Sequence, residues 1–271
     1  MTAGKFQRIV KDYMAEENRF IEERHQQILE LLREYGRITV KDLCNQFRVS
    51  NVTIRNDLND LEKQDLLIRT HGGAMARENN SSELPFSVRM QKHYDEKHRM
   101  ARAASELIEN GEAVFIDGGT TASVIRHYLT GKKDLTIITP SIEVTSHLAM
   151  HESIRIFVMG GFFKRESLST IGASSANVID NWNIAKAFHG AYGFTTEHGL
   201  TDIDPGFIEQ KRYIAGKAQV NIGMIDSSKW GKMSLDTFLE TKNIDVLITD
   251  KNASPEMEEA ASQYNIEFII V

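Results

Sequence analysis

VSNVTIRNDLNDLE, from Val49 to Glu62, opens on a polar turn and continues as an amphipathic helix. Ser50 is placed to cap it, and Ile54, Leu58 and Leu61 recur at i, i+4 and i+7, which makes one edge apolar. The opposite face carries Asn51, Val52, Arg55, Asn56 and Asn59. These side chains suit base edges, because a guanidinium pairs with guanine and a carboxamide with adenine in the major groove. A merely solvated face would be richer in Glu and Lys. Thr53, one turn in, is placed either as a second cap or, with the free N–H groups of the helix start, as a phosphate contact. The stretch reads as the turn and second helix of a helix-turn-helix, with double-stranded DNA as its partner.

Working outward, Ile28, Leu29, Leu31 and Leu32 line one face of a preceding helix that stops at Gly36. Val40, Leu43 and Phe47 predict a short helix from Val40 to Phe47, with Thr39 as its cap and a member of the DNA-facing set. Arg48, Val49 and Ser50 form the turn. Downstream, LLIRTHGGA from Leu66 to Ala74 is a short apolar strand closing on two glycines, which suits the wing of a winged helix. Arg69 and His71 are placed there to reach a phosphate or the minor groove. Residues 1–23 precede this domain as an amphipathic extension, either a cover for the winged domain or a pairing helix for a second subunit. The domain itself is expected over 24–76 and a polar linker over 77–92.

From residue 93 to 271 the pattern changes to β-branched runs alternating with helical ones, the mark of an α/β domain with a parallel sheet covered on both faces. The expected strands are AVFID, LTIIT, IRIFVM, KAFHGAY, QVNIGMID, DVLITD and the terminal IEFIIV. In such sheets ligands bind beyond the carboxyl ends of the strands. DGGTTAS, from Asp117 to Ser123, reads there as a phosphate cradle: Gly118 and Gly119 admit an anion to the backbone, and Thr120 and Thr121 add hydroxyls. A tight turn with a capping Thr fits the same residues equally well. Ser141, Gly160, Gly161, Asp226 and Lys229 follow other strands on the same edge. Lys229 offers a cation to a phosphate, and Asp117 or Asp226 an acceptor to sugar hydroxyls. Glu209 and Lys211, entering a helix, offer a further pair.

The run from Arg24 to Ala74, with ERHQQIL, TIRNDL and HGGA, resembles the DNA-binding domain of the DeoR family of bacterial transcriptional regulators. The second region resembles the sensor domain of that family through DGGTT, the Thr-x-Ser after the second strand, MGG, FHGAYGFTTEHGL, EQKR and DSSKWG, up to Asp250. The family's sensor domain is similar in fold to ribose-5-phosphate isomerase and glucosamine-6-phosphate deaminase. The resemblance implies a repressor controlled by a phosphorylated sugar or polyol, with the phosphate loop at Gly119, Thr120 and Thr121 and with Asp117 and Lys229 nearby. Gly118 stands where the family commonly has Ser, and Pro140 where it commonly has Asn. The rival reading is a winged domain fused to an active sugar-phosphate isomerase or deaminase, using the same Asp, Glu and Lys residues as acid and base.

The net charge is −6, but it is unevenly placed: residues 1–78 hold 13 Lys or Arg against 13 Asp or Glu, leaving the whole excess to the rest of the chain. A neutral winged domain binds DNA weakly alone, so a homo-oligomer, dimer or tetramer, is expected to present several of them to a repeated site. Cys44 is the sole cysteine, inside the second helix, and a buried apolar role is expected of it. No apolar run approaches the roughly 20 residues that span a bilayer, and no signal-peptide core is seen, so a cytoplasmic protein is expected. His147 and His151 sit at i and i+4, but HLAMH lacks the Glu of zinc proteases. No catalytic residue, metal or cofactor is expected.

Overall fold

The computed structural model describes residues 20–32, 37–64, 66–70, 72–75, 86–172 and 179–271. Most of the N-terminal extension, the stop at Gly36, His71 and most of the linker lie outside the described residues. The chain divides into two compact units, Met1–Leu84 and Pro85–Val271.

In the first unit, α1 (residues 20–32) packs Ile28, Leu29 and Leu32 against α2 (Val40–Phe47) and α3 (Asn51–Lys63). The bounds of α2 and α3 follow from their caps. The Thr39 hydroxyl accepts from the Asp42 N–H at 3.1 Å, and the Ser50 hydroxyl from the Thr53 N–H at 3.1 Å, each satisfying an N–H that the helix cannot. Ile54, Leu58 and Leu61 are buried as their spacing requires, while Leu31 and Phe47 are half-buried. Cys44 is half-buried rather than enclosed. The wing is a three-stranded antiparallel sheet in the order β1 (Arg37–Thr39), β3 (Gly73–Met75), β2 (Ile68–Thr70). The expected single strand becomes three because β1 closes on β3 at Gly73. A Cβ on Gly73 would lie 1.9 Å from the Ile38 carbonyl oxygen, so that pairing admits only glycine.

A polar brace underlies the helix pair. Asp57 lies on the inward face of α3, where Arg24 of α1 grips both its oxygens at 2.6 and 2.9 Å and His25 reaches one at 3.1 Å. Burial pushes the Asp57 carboxyl up, but the bonds from His25 and Arg24 outweigh it and hold it below the ordinary value.

In the second unit, α4 (Phe86–Gln91) and α5 (Tyr94–Glu106) lead into a seven-stranded parallel sheet. Its strands are β4 (Ala113–Ile116), β5 (Leu135–Thr139), β6 (Ile154–Val158), β9 (Ile184–Gly190), β12 (Ala218–Met224), β14 (Val246–Thr249) and β15 (Glu267–Ile270). These are the seven strands expected from the sequence. Their order is β15-β14-β12-β9-β4-β5-β6. Alternate residues feed two faces: Val114 and Ile116 pack with Met100, Ala101 and Ala104 of α5, while Phe115 packs with Ile214 of α7 (Pro205–Ala215). α6 (Ile142–Leu148) and a 3₁₀ segment (Ala122–Tyr128) complete the first face. Two additions fall outside the alternating pattern, a hairpin of β7 (Phe162–Lys164) and β8 (Ser169–Ile171), and a small antiparallel sheet of β10 (Gly193–Thr195), β11 (Gly199–Asp202) and β13 (Asp236–Leu239). α8 (Pro255–Gln263) precedes the last strand. No helix of the described residues is long and apolar enough to cross a membrane.

From β4 the chain runs outward through β5 and β6, then returns to β9 on the other side. The direction of winding therefore reverses between β4 and β9, and it is beyond the carboxyl ends of the strands at such a point that open α/β sheets bind ligands. Asp117 and Gly190 stand there.

Candidate functional site

Two surfaces carry the expected residues. On α3, Asn51, Val52, Arg55, Asn56 and Asn59 are all exposed on the face opposite the core. Arg55 and Asn56 make no side-chain hydrogen bond among the described residues and remain available to a base edge. Thr53 is drawn into the cap, its hydroxyl 2.8 Å from that of Ser50, and Thr39 is likewise bonded to the Asp42 carboxylate at 2.6 Å. Arg69 does something the sequence did not show. Its guanidinium donates to the Arg55 carbonyl at 3.0 Å and to the Asn59 side chain at 2.7 Å, and its backbone N–H donates to Glu62 at 3.0 Å. It ties the wing to the reading helix and orients Asn59, a role that competes with reaching out to a phosphate.

At the sheet edge, the expected residues separate into committed and open groups. Asp117 is buried, accepting from Gly118 N–H at 2.7 Å and, at the end of β9, from Gly190 N–H at 3.0 Å. Lys211 places its ammonium 2.8 Å from Asp117 and 2.7 Å from Asp202, and donates to the Gly190 carbonyl at 2.9 Å. Burial alone would depress this amine, but the two carboxylates hold it above the ordinary lysine value. All three of its N–H donors are used, so Lys211 is a strut and not the ligand cation expected of it. Asp202, its second partner, was not foreseen. Glu209, expected to pair with Lys211, is exposed on another face of α7, since residues two apart on a helix do not face each other.

Ser141 and the glycines are also structural. The buried Ser141 hydroxyl caps α6 by accepting from Val144 N–H at 3.3 Å. Gly161 has φ +138°, and a Cβ there would lie 2.1 Å from the Ile171 carbonyl oxygen across the β7–β8 hairpin; Gly160 precedes it. Gly118 answers to Ser169: a Cβ would sit 2.2 Å from the Ser169 hydroxyl oxygen. A glycine in place of serine here matches the serine that occupies the same space from β8.

The open group begins with the loop 119–121. The backbone N–H groups of Gly119, Thr120 and Thr121, and both threonine hydroxyls, have no partner among the described residues. Two strands away in the sheet, Asp226 caps a short 3₁₀ turn, Ser227–Lys229, accepting from Ser228 N–H at 3.0 Å. Lys229 lies over the Tyr192 ring at 5.7 Å, and Arg89 approaches the same ring at 5.8 Å. Burial depresses the Lys229 amine; Asp226 opposes this, and Lys232, Lys92 and Arg89 add to the depression. Lys97, on the first turn of α5, joins this group. It is buried, donates to the Arg89 carbonyl, and has no carboxylate within ion-pair distance among the described residues. Burial lowers its amine to about 7, against the pull of Asp226 and with the push of Lys229, Arg89 and Lys92. Sequence inspection missed Lys97 because a lysine near a helix start is ordinarily solvated; no periodicity marks this one as buried.

Comparisons with known proteins cover both domains. Residues 24–80 match the model of the DeoR-like helix-turn-helix domain, and residues 92–251 that of the DeoR C-terminal sensor domain. The chain is 32% identical to the HTH-type transcriptional regulator IolR of Bacillus subtilis, over 90% of this chain and 96% of that protein. It is 33% identical to the HTH-type transcriptional regulator GolR of Listeria innocua, over 84% and 90%. It is 30% identical to the glycerol-3-phosphate regulon repressor of Escherichia coli, over 90% and 97%. Among solved structures, a D-ribose-5-phosphate isomerase in complex with phospho-erythronic acid aligns with a TM-score of 0.39 and 16% identity, over 51% of this chain and 54% of that one.

Proposed function

As the chain belongs to the DeoR family and is a DNA-binding transcriptional regulator rather than an enzyme, we propose that it represses its target by reading an operator with α3 and releases or re-sets that grip on binding a phosphorylated sugar or polyol at the carboxyl edge of the sheet. One observation carries the effector reading. Lys97 and Lys229 sit buried or half-buried near Arg89, Lys92 and Lys232, and among the described residues Asp226 is the carboxylate that pulls on both amines. Buried charge that lacks a counter-charge is costly, and an incoming anion removes that cost. The open N–H groups and hydroxyls of residues 119–121, on the other side of β9, offer the remaining polar contacts a phosphoryl group needs. The names of relatives point the same way, one being a glycerol-3-phosphate regulon repressor.

The proposal extends to assembly. The neutral reading domain favours a dimer or tetramer that engages a repeated operator through several copies of α3. Effector and operator then influence each other reciprocally, because each binds the oligomer's states unequally.

A thermal-shift screen of the full-length protein with phosphorylated sugars and polyols, each beside its dephosphorylated counterpart, tests the reading. The expected hit raises Tm only when phosphorylated. Thr120→Val or Lys229→Ala should abolish that rise while gel shifts without effector stay unchanged. Indifference to the phosphoryl group would end the effector assignment, and a monomer by sedimentation would end the assembly one.

A further inference from the structure

Resting on the reading that this sheet edge takes an anionic effector, we infer that Lys97 is itself an effector-contacting residue and that binding the anion draws a proton on to its amine. The inference starts from what surrounds the amine. Facing it are Lys229 and Asp226 from the turn after β12, and Arg89 and Lys92 from α4 and the turn behind it. The Arg89 carbonyl is its one hydrogen-bond partner among the described residues. Two of its three N–H donors therefore have no partner among the described residues. A lysine placed for structure alone would be enclosed by acceptors, as Lys211 is by Asp117, Asp202 and the Gly190 carbonyl.

Burial first, and then the charges of Lys229, Arg89 and Lys92 against the opposing pull of Asp226, lower the Lys97 amine to about 7, so near neutral pH the free protein holds both its neutral and its charged form. A bound dianion reverses this balance. It interacts favourably with the ammonium and not with the amine, so the charged form is selected as the ligand arrives. Thr120 and Thr121 have no titrating group and bind the anion without this coupling. Lys97 is thus the element that makes effector affinity depend on pH, strong where the amine is already charged and weaker as pH rises above its free value.

Sulfate is the probe, because it stays a dianion from pH 6 to 9 and contributes no proton of its own. Full-length protein in weak buffer at pH 8 receives sodium sulfate, or sodium chloride at matched ionic strength, while an indicator dye follows protons and equilibrium dialysis follows labelled sulfate. At that pH roughly nine in ten Lys97 amines are neutral, so saturating sulfate should bring an uptake approaching about one proton per chain. Affinity should fall by up to about tenfold per pH unit above pH 8. Lys97→Arg, whose charge is permanent, should bind sulfate with no uptake and a flat pH profile, and Lys97→Met should lose sulfate affinity by at least about tenfold. The inference is overturned if the wild type binds sulfate without proton uptake, or if Lys97→Met binds and takes up protons as the wild type does. If Thr120→Val loses sulfate while Lys97→Met retains it, the effector site stands and Lys97 drops out of it. If the wild type shows no saturable sulfate binding, both fail together.

Discussion

Lys97 and Lys211 are both 4% exposed, in the same domain, near the same end of the same sheet, yet they do opposite things. Lys211 is enclosed by two carboxylates and a carbonyl and is held charged; Lys97 bonds one carbonyl, and burial together with Lys229, Arg89 and Lys92 outweighs the pull of Asp226 and pushes it toward neutrality. The first arrangement is complete without a ligand. The second is not. Burial alone does not distinguish a strut from a binding group; the count of compensating partners does.

The largest effect should come from breaking the completed side. Lys211→Met leaves Asp117 and Asp202 buried without a counter-charge, and urea denaturation should show a loss of about 3–5 kcal/mol. Lys97→Met removes a cation that the fold does not compensate, so its stability should match or slightly exceed the wild type. Equal losses in the two variants would erase the distinction.

The reading helix extends the comparison to a surface complete in fold but open to a partner. Arg55→Ala or Asn56→Ala should each cost roughly 1–3 kcal/mol of operator binding, with little change on random DNA or in thermal stability. A loss equal on both DNAs would convert base reading to phosphate contact. Asp57→Ala should behave in the opposite way, lowering stability, since it strips Arg24 and His25 of their shared partner.

A third contrast concerns pH. His189, in the core beside Phe115 and Phe238 and near Lys211, is held down to about 3, first by burial and then by that lysine's charge. Its folded value is depressed, so the unfolded chain takes up the proton more readily once pH falls below about 6.5, and stability declines from there. Between pH 6.5 and 5 this group alone should remove roughly 2 kcal/mol, read as a falling urea midpoint that His189→Asn flattens. Asp57, also depressed, adds its loss lower, as pH falls below the ordinary aspartate value and through its own. An unchanged slope in His189→Asn would shift the acid sensitivity to the surface histidines.

The smallest effect is the packing pair at the sheet edge. Gly118→Ala should cost on the order of 1–2 kcal/mol through contact with Ser169, and Ser169→Ala in the same chain should recover part of it by removing the oxygen 2.2 Å from the new methyl. Additive losses would mean that Ser169 is not the obstacle.

The helices α2 and α3 were legible almost residue by residue, down to the caps at Thr39 and Ser50 and the buried set Ile54, Leu58 and Leu61, because their signals are local, whereas β1 of the wing was not, since it pairs with β3 more than thirty residues away. Helix spacing and capping are settled within a few residues. The seven parallel strands were legible for the same reason, each being a short run rich in apolar residues. The additions were not: β7, β8, β10, β11 and β13 are three or four residues long, the first four in short local hairpins, and β13 forms only because β11, more than thirty residues earlier, lies alongside it.

At the candidate site the sequence named residues that stand together at the carboxyl edge of the sheet, since position after a strand is a local fact. It did not sort them. Glu209 and Lys211 look like a pair in the sequence and point apart on α7; Arg69 looks like a free cation and is bound to Arg55 and Asn59. Lys97 gave no signal at all. What the sequence determined by itself was fold class, family and the two-part plan of a helix-turn-helix followed by a parallel-sheet domain, all written in periodicity, caps and motifs. Only the tertiary structure decided which charges are satisfied and which are left for a partner, because that depends on electrostatic neighbours brought together from strands and helices far apart in the chain, and at buried sites such neighbours outweigh anything the local sequence specifies.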